Sequence, residues 1–187
     1  MNPSTEDMLK AIDKVNADNI FILPNNKNII MAAQQAGDLT EDKHIIVIPS
    51  RTIPQGITAL INFMPDLSPE DNLENMKSEM GNVKTVQVTY AVRTTNIDGI
   101  DIEEGDIMAI GDQGILAVGK ETEDTALEAL KSMLDGGSEL ITVYYGSGVT
   151  DDEAQALASK AKQLFPDKEI ELQYGGQPIY YYLISAE

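Results

Sequence analysis

Residues 20–33, IFILPNNKNIIMAA, decide the fold, because they lead from a short apolar strand directly into a helix. Residues 20–23 are uniformly apolar, and Pro24 ends the run. A polar turn follows, and apolar residues then return at helical spacing until Gly37, where we expect the helix to stop. The stretch therefore predicts a strand–turn–helix unit.

The same unit follows a second time, as an apolar strand over 45–48, a loop over 49–56 and a helix over 57–63. The helix that precedes both units opens on a capping box of Ser4 and Asp7. Two buried strands that each lead into a helix predict a parallel sheet covered by helices on both faces.

The pattern changes after residue 80. Residues 85–93 alternate between apolar and polar, which predicts a half-exposed strand, and the glycine-flanked turn over 111–114 predicts an antiparallel hairpin. The remaining expected elements are a helix over about 123–134, a strand over 140–144, a helix capped by Thr150 and Glu153 that ends before Pro166, and strands over 169–174 and 179–185. We therefore predict an α/β lobe over residues 1–80 and an α+β lobe over residues 81–187, packed closely together because no flexible linker separates them.

The charge of the chain narrows the possible partners. Thirteen Lys and Arg stand against thirty-one Asp and Glu, a formal net charge of -18. Nucleic acids and anionic lipid surfaces are disfavoured, because both are bound through cations. No apolar run approaches the roughly 20 residues of a membrane-spanning helix, and the first residues do not resemble a signal peptide, so we expect a cytoplasmic protein.

The residues that usually carry chemistry are few. Without cysteine there is no disulfide, no thiolate metal site and no thiol nucleophile, and His44 stands alone at the start of a strand. The acidic clusters 103–106 and 151–153 could bind a hard cation, but the second falls in the first turn of a helix, where carboxylates are expected. Nucleotide-binding motifs of the Gly-x-Gly-x-x-Gly or phosphate-loop type are absent from the sequence. We predict no catalytic residue, metal or cofactor in this chain.

Two loops have the position of a binding site. Ligands of open parallel sheets bind beyond the carboxyl ends of the strands, beside helix N-termini. The alternative is structural, with asparagines as helix caps and Pro54 in a rigid turn. The candidate residues there are Asn25, Asn26, Asn28, Ser50, Arg51, Thr52, Gln55 and Gly56.

Five separated stretches resemble a known family in the same order along the chain. They are residues 2–7 (NPSTED), 23–28 (LPNNKN), 53–56 (IPQG), 87–93 (QVTYAVR) and 175–180 (GGQPIY). Together they resemble the C-terminal region of the kinase subunit of bacterial fatty acid kinase. The resemblance implies that ATP and Mg²⁺ belong to a separate domain similar to dihydroxyacetone kinase, and that this region is not itself an enzyme.

A second, weaker resemblance is to the DegV-type fatty-acid-binding proteins, which present the acyl carboxylate to that kinase. It implies a DegV-like fold in which the loops at 25–32, 49–56 and 174–178 face the ligand. The serines and the histidine that hold the carboxylate in that family are replaced here by Asn25, Asn26 and the loop residues Gly175, Gly176 and Gln177.

These resemblances imply a non-catalytic module that docks a DegV-type fatty-acid-binding carrier protein for the rest of the kinase subunit. One alternative is a stand-alone DegV-like protein that binds a lipid or a small anion. Another is a metal-dependent hydrolase, for which the sequence offers only generic carboxylates.

Overall fold

The computed structural model describes residues 2–187 and divides into two compact units, one that ends at Val83 and one that spans Lys84–Glu187. The chain mixes helices with both parallel and antiparallel strands, as predicted. The close packing of the two lobes stays a prediction.

The first unit holds two strands and four helices. Strands β1 and β2 form a two-stranded parallel sheet in which Asn19 lies opposite His44 and Ile22 lies opposite Val47. In chain order the elements are α1 (Thr5–Asp13), β1 (Asn19–Ile22), α2 (Lys27–Asp38), β2 (His44–Val47), α3 (Ile53–Ile61) and α4 (Pro69–Met80).

Helices cover both faces of this small sheet. Successive side chains of a strand point to opposite faces, so Ile20 and Ile45 pack with α1 and α2, whereas Phe21 and Ile46 pack with α3 and α4. The predicted parallel sheet with helices on both faces is therefore confirmed.

Two predicted helix ends in this unit are wrong. Gly37 does not stop α2, which continues to Asp38, and the missing side chain instead lets the helix approach Ile45. Helix α3 begins at Ile53 rather than at residue 57, because Thr52 caps it and Pro54 fits the first turn, where no N–H bond is lost. Gln55 and Gly56, predicted in a loop, are helical.

The second unit is built on a six-stranded mixed sheet with the order β7-β6-β3-β10-β8-β9. Strands β4 and β5 form a separate hairpin. The elements are β3 (Lys84–Tyr90), β4 (Thr95–Ile97), β5 (Ile100–Ile102), β6 (Ile107–Gly111), β7 (Gly114–Gly119), α5 (Thr122–Met133), β8 (Leu140–Tyr145), α6 (Asp151–Leu164), β9 (Glu169–Tyr174) and β10 (Tyr182–Ala186).

The directions of these strands bring several strand ends to one edge. Strand β10 runs antiparallel to both of its neighbours, β3 and β8, while β8 and β9 run parallel and are joined by α6. The carboxyl ends of β3, β8 and β9 therefore meet the start of β10 at the same edge of the sheet. Helices α5 and α6 pack on one face through an alanine- and leucine-rich core.

Sequence reasoning succeeded for some elements here and failed for others. The hairpin of β6 and β7 and the β8–α6–β9 unit are confirmed. The half-exposed strand is wrong, because β3 is a central strand in which Thr85 and Thr89 are buried as well as the valines. The last strand begins at Tyr182 rather than at residue 179.

Candidate functional site

The two loops that follow β1 and β2 meet beyond the carboxyl ends of these strands, as the parallel sheet requires. The side chain of Ser50 is fully buried and donates its hydroxyl hydrogen to the carbonyl oxygen of Pro24. The hydroxyl oxygen of Ser50 also lies near Gly56, where an added Cβ would be 3.8 Å from it. The structure therefore brings both predicted loops together.

Most polar atoms of these loops bond to the loops' own backbone. Asn26 Oδ1 accepts the N–H of Asn28 at 2.9 Å and caps α2. Thr52 Oγ1 accepts the N–H of Gln55 at 3.4 Å, and Gln55 Oε1 accepts the N–H of Arg51 at 3.0 Å. The structural interpretation is thus the correct one for Asn26, Thr52 and Gln55.

The remaining candidates of this unit lie at its rim. Asn25 and Asn28 are exposed beside the start of α2, and Arg51 is exposed beside the start of α3. Arg51 therefore places a cation in solvent next to a helix N-terminus, an arrangement that does not by itself form an enclosed ligand site.

The third candidate loop belongs to the second unit. The N–H groups of Gly175 and Gly176 donate to the carbonyl oxygen of Tyr145 at 3.0 and 3.2 Å, and Gln177 Nε2 donates to the carbonyl oxygen of Tyr144 at 2.9 Å. Gly176 has φ +65°, a left-handed conformation that glycine adopts without strain. The loop is therefore fixed to the end of β8.

Tyrosines surround this loop. The rings of Tyr145 and Tyr174 are 5.2 Å apart, and those of Tyr90 and Tyr181 are 6.2 Å apart. The hydroxyl of Tyr145 donates to Asp151 Oδ1 at 2.9 Å, and this bond raises the pKa of Tyr145. We call Tyr90, Tyr145, Tyr174, Ile179 and Tyr181 the tyrosine surface.

Sequence reasoning missed the tyrosine surface, although a signal was present. All 7 tyrosines of the chain, at positions 90, 144, 145, 174, 180, 181 and 182, stand at the ends of β3, β8 and β9 or at and just before the start of β10. Their clustering appears only once the strand order is known, because the four segments are distant in sequence.

Ile179 has an unusual backbone on this surface. Its φ is +73°, a region that β-branched residues rarely adopt, and 65% of its surface is exposed. Hydrogen bonds hold it there: its carbonyl oxygen accepts the Thr89 hydroxyl at 3.0 Å, and the Tyr181 N–H donates to the carbonyl oxygen of Val88 at 2.8 Å.

The histidine and the acidic clusters have structural partners. His44 Nδ1 lies 3.1 Å from Asn19 Oδ1 at the sheet end. The Lys120 ammonium lies 2.6 Å from Asp106 Oδ1 and 2.7 Å from Glu103 Oε2, and this contact lowers the pKa of Asp106. Within residues 2–187 we find no group of three or more acidic, histidine or cysteine side chains arranged to hold a metal ion.

None of the helices in residues 2–187 combines the length and the apolar character needed to cross a bilayer.

The architecture is shared with two groups of solved structures. It matches the Fak B3 fatty acid kinase protein of Streptococcus pneumoniae, loaded with linoleic acid, with a TM-score of 0.66 and 16% identity over 99% of this chain and 76% of that one. It also matches the dihydroxyacetone kinase of C. freundii with a TM-score of 0.63 and 14% identity over 98% of this chain and 41% of that one. At such identities the similarity shows a DegV-like fold, as predicted.

The sequence shows the family. Residues 1–187 match the FakA-like C-terminal family of fatty acid kinases, and the chain belongs to this family. It is 44% identical over 187 residues to protein YloV of Bacillus subtilis and 40% identical to the uncharacterized protein SAR1202 of Staphylococcus aureus. All of this chain is covered in both comparisons, but only 34% of each relative, so the chain spans about a third of their length. The family resemblance in the sequence is confirmed.

Proposed function

We propose that this chain is the non-catalytic module of a fatty acid kinase subunit that docks a DegV-type fatty-acid-binding carrier protein. Docking would let the acyl carboxylate of the carrier reach an ATP-binding domain elsewhere in the subunit. The proposal rests on the family, together with one observation: the loops that could clamp a ligand are already bonded to themselves.

The closed loops argue against an acyl carboxylate bound by this chain. An ionised carboxylate needs charged or hydrogen-bonding donors when it leaves water. The buried hydroxyl of Ser50 donates to Pro24, and the N–H groups of Gly175 and Gly176 donate to Tyr145. A DegV-like fold with its clamp occupied supports a role in binding a protein.

Docking can account for a contribution to catalysis without any catalytic residue. Holding two reactants in the correct orientation is worth several kcal/mol of barrier in well-aligned systems. The module would supply position, and the ATP-binding domain of the subunit would supply the phosphate chemistry.

Titration calorimetry tests the proposal. The chain is titrated with a DegV-type carrier loaded with oleate, and separately with oleate below its micelle concentration and with inorganic phosphate. We expect saturable one-to-one binding of the carrier and none of oleate or phosphate. Saturable binding of oleate or phosphate without binding of the carrier would instead support a stand-alone lipid or small-anion binder.

A second measurement tests the absence of catalysis. Chain, loaded carrier, ATP and Mg²⁺ are incubated with hydroxylamine, which traps acyl phosphate as hydroxamate. We expect no hydroxamate above the reaction without the chain, because the described residues offer no phosphate-binding loop or metal cluster. Hydroxamate formed by the chain and carrier alone would contradict the proposal.

A further inference from the structure

The tyrosine surface has the composition of a protein interface. Tyrosine is enriched at the energetically dominant positions of interfaces, since its ring buries a large area at low cost in side-chain entropy. Here 66% of the surface of Tyr174 and 41% of that of Tyr90 are exposed. A protein without a partner has no reason to gather all its tyrosines at one edge of a sheet and leave these rings in water.

The strain at Ile179 is a second and independent observation. Glycine or asparagine would adopt φ +73° at lower cost, because the left-handed region brings a branched Cβ into collision with the backbone. The side chain gains little from burial, because it is mostly exposed. Strained residues of this kind cluster at binding sites, so a contact outside the chain is the reason for an isoleucine here.

The charges near the surface indicate the chemistry of its partner. The chain segments 85–92, 140–150 and 172–186, which form this edge, contain no Asp, Glu, Lys or Arg, although 24% of the chain is charged. Asp151 and Asp152, both exposed, follow the second segment, and Arg93 follows the first. A complementary partner has an apolar centre and a cationic group opposite the two aspartates. A free fatty acid has the wrong charge.

We propose that the tyrosine surface is the face on which the acyl-loaded carrier docks, with Ile179 and Tyr174 as its apolar contacts. This assignment rests on the proposed function. The occupant is a folded protein with a basic border around an apolar patch.

The first unit offers a competing surface. Helix α3 and the residues after it expose Ile53, Leu60, Ile61 and Met64, spaced as on one side of a helix. This stripe has no strained residue and no charged residue in its own segment 53–64. Ile61, 76% exposed, therefore serves as the matched control for Ile179.

The experiment compares Ile179→Asn, Tyr174→Ser and Ile61→Asn for binding of the oleate-loaded carrier. Asparagine tolerates the left-handed region, so Ile179→Asn keeps the turn and removes only the apolar side chain. We expect Ile179→Asn and Tyr174→Ser each to weaken binding about tenfold or more, and Ile61→Asn to leave it unchanged. Thermal unfolding of each variant verifies that it is folded.

The outcomes separate this proposal from the one before it. If the unmodified chain does not bind the carrier, the proposed function fails and this assignment fails with it. If the unmodified chain binds and folded Ile179→Asn and Tyr174→Ser bind equally well, only the surface is wrong, and a loss in Ile61→Asn would move docking to α3. A concentration-dependent dimer that Ile179→Asn dissociates would overturn the assignment in favour of a second copy of this chain.

Discussion

Gly146 follows the end of β8 and lies against the backbone that leads into β10. Its N–H donates to the carbonyl oxygen of Tyr181 at 2.8 Å. A Cβ at this position would lie 2.6 Å from the carbonyl oxygen of Gln177 and closer still to that of Tyr180. Backbone atoms cannot rotate away as a side chain can, so the chain must shift to accept even an alanine.

We therefore expect Gly146→Ala to lower the free energy of unfolding by about 1–3 kcal/mol, the usual cost of overpacking. Gly148→Ala is the matched control, because an added Cβ there meets no atom within 4 Å. Its effect should stay within about 0.5 kcal/mol. Urea denaturation of the three proteins measures both values, and equal stability of the two variants would contradict the close approach at Gly146.

At the scale of elements, α6 depends on its first turn. The Thr150 hydroxyl oxygen accepts the N–H of Glu153 at 3.3 Å, and Glu153 Oε2 accepts the N–H and the hydroxyl of Thr150 at 2.8 and 2.7 Å. These bonds favour the ionised carboxylate and hold the pKa of Glu153 below its ordinary value of 4.5.

Thr150→Ala should lower the free energy of unfolding by about 1 kcal/mol at neutral pH, because it removes the cap. A carboxylate with a lowered pKa in the folded state stabilises the protein above its unfolded pKa and loses that contribution as pH falls through the folded pKa. The deficit of Thr150→Ala should therefore shrink as the pH falls below 4.5.

Denaturation curves at several pH values measure this deficit. Thr150→Ser, which keeps the hydroxyl, should behave like the unmodified chain throughout. A deficit in Thr150→Ala that is independent of pH would show that Glu153 gains nothing from the capping box.

Local signals explain which elements the sequence predicted. Capping boxes at Ser4 and Thr150 were predicted correctly, since a cap depends on residues within one turn. Gly37 was misread, because a glycine that ends a helix and one that allows close packing look alike without the neighbouring strand. The hairpin of β4 and β5 was missed, although Asp98 and Gly99, with φ 52° and 84°, form the two-residue turn that such pairs favour.

The candidate site was predicted only in part for the same reason. Positions 24–28 and 49–52 were placed at the sheet edge from strand direction alone, and the contact between Ser50 and Pro24 agrees with that placement. The tyrosine surface depends on β10 lying between β3 and β8, and pairing of distant strands leaves no periodicity in the sequence.

For the whole molecule, the net charge of -18 sets the long-range interaction with a partner. If the carrier presents a basic border, attraction should steer the encounter. The Debye length falls from about 30 Å at 0.01 M to about 8 Å at 0.15 M ionic strength. We expect the association rate with the carrier to fall about tenfold or more across that range, and the dissociation rate to change less.

Stopped-flow or surface-based kinetics at the two ionic strengths measure both rates. Asp152→Asn removes one charge beside the tyrosine surface and should reduce the salt dependence, while Asp66→Asn, an exposed charge in the first unit, serves as its control. An association rate that stays constant between the two salt concentrations would leave the acidity as a feature of solubility.

The position of β10 also bears on how the protein is made. Tyr182–Ala186 is the last strand of its unit to leave the ribosome, yet it lies between β3 and β8 in the middle of the sheet. Until it emerges, the nascent chain carries two unpaired strand edges where the finished protein has a continuous ladder, and such edges pair readily with other chains. Folding of this unit must therefore follow translation of nearly its whole length, and a chaperone that shields those edges would act before residue 182 appears.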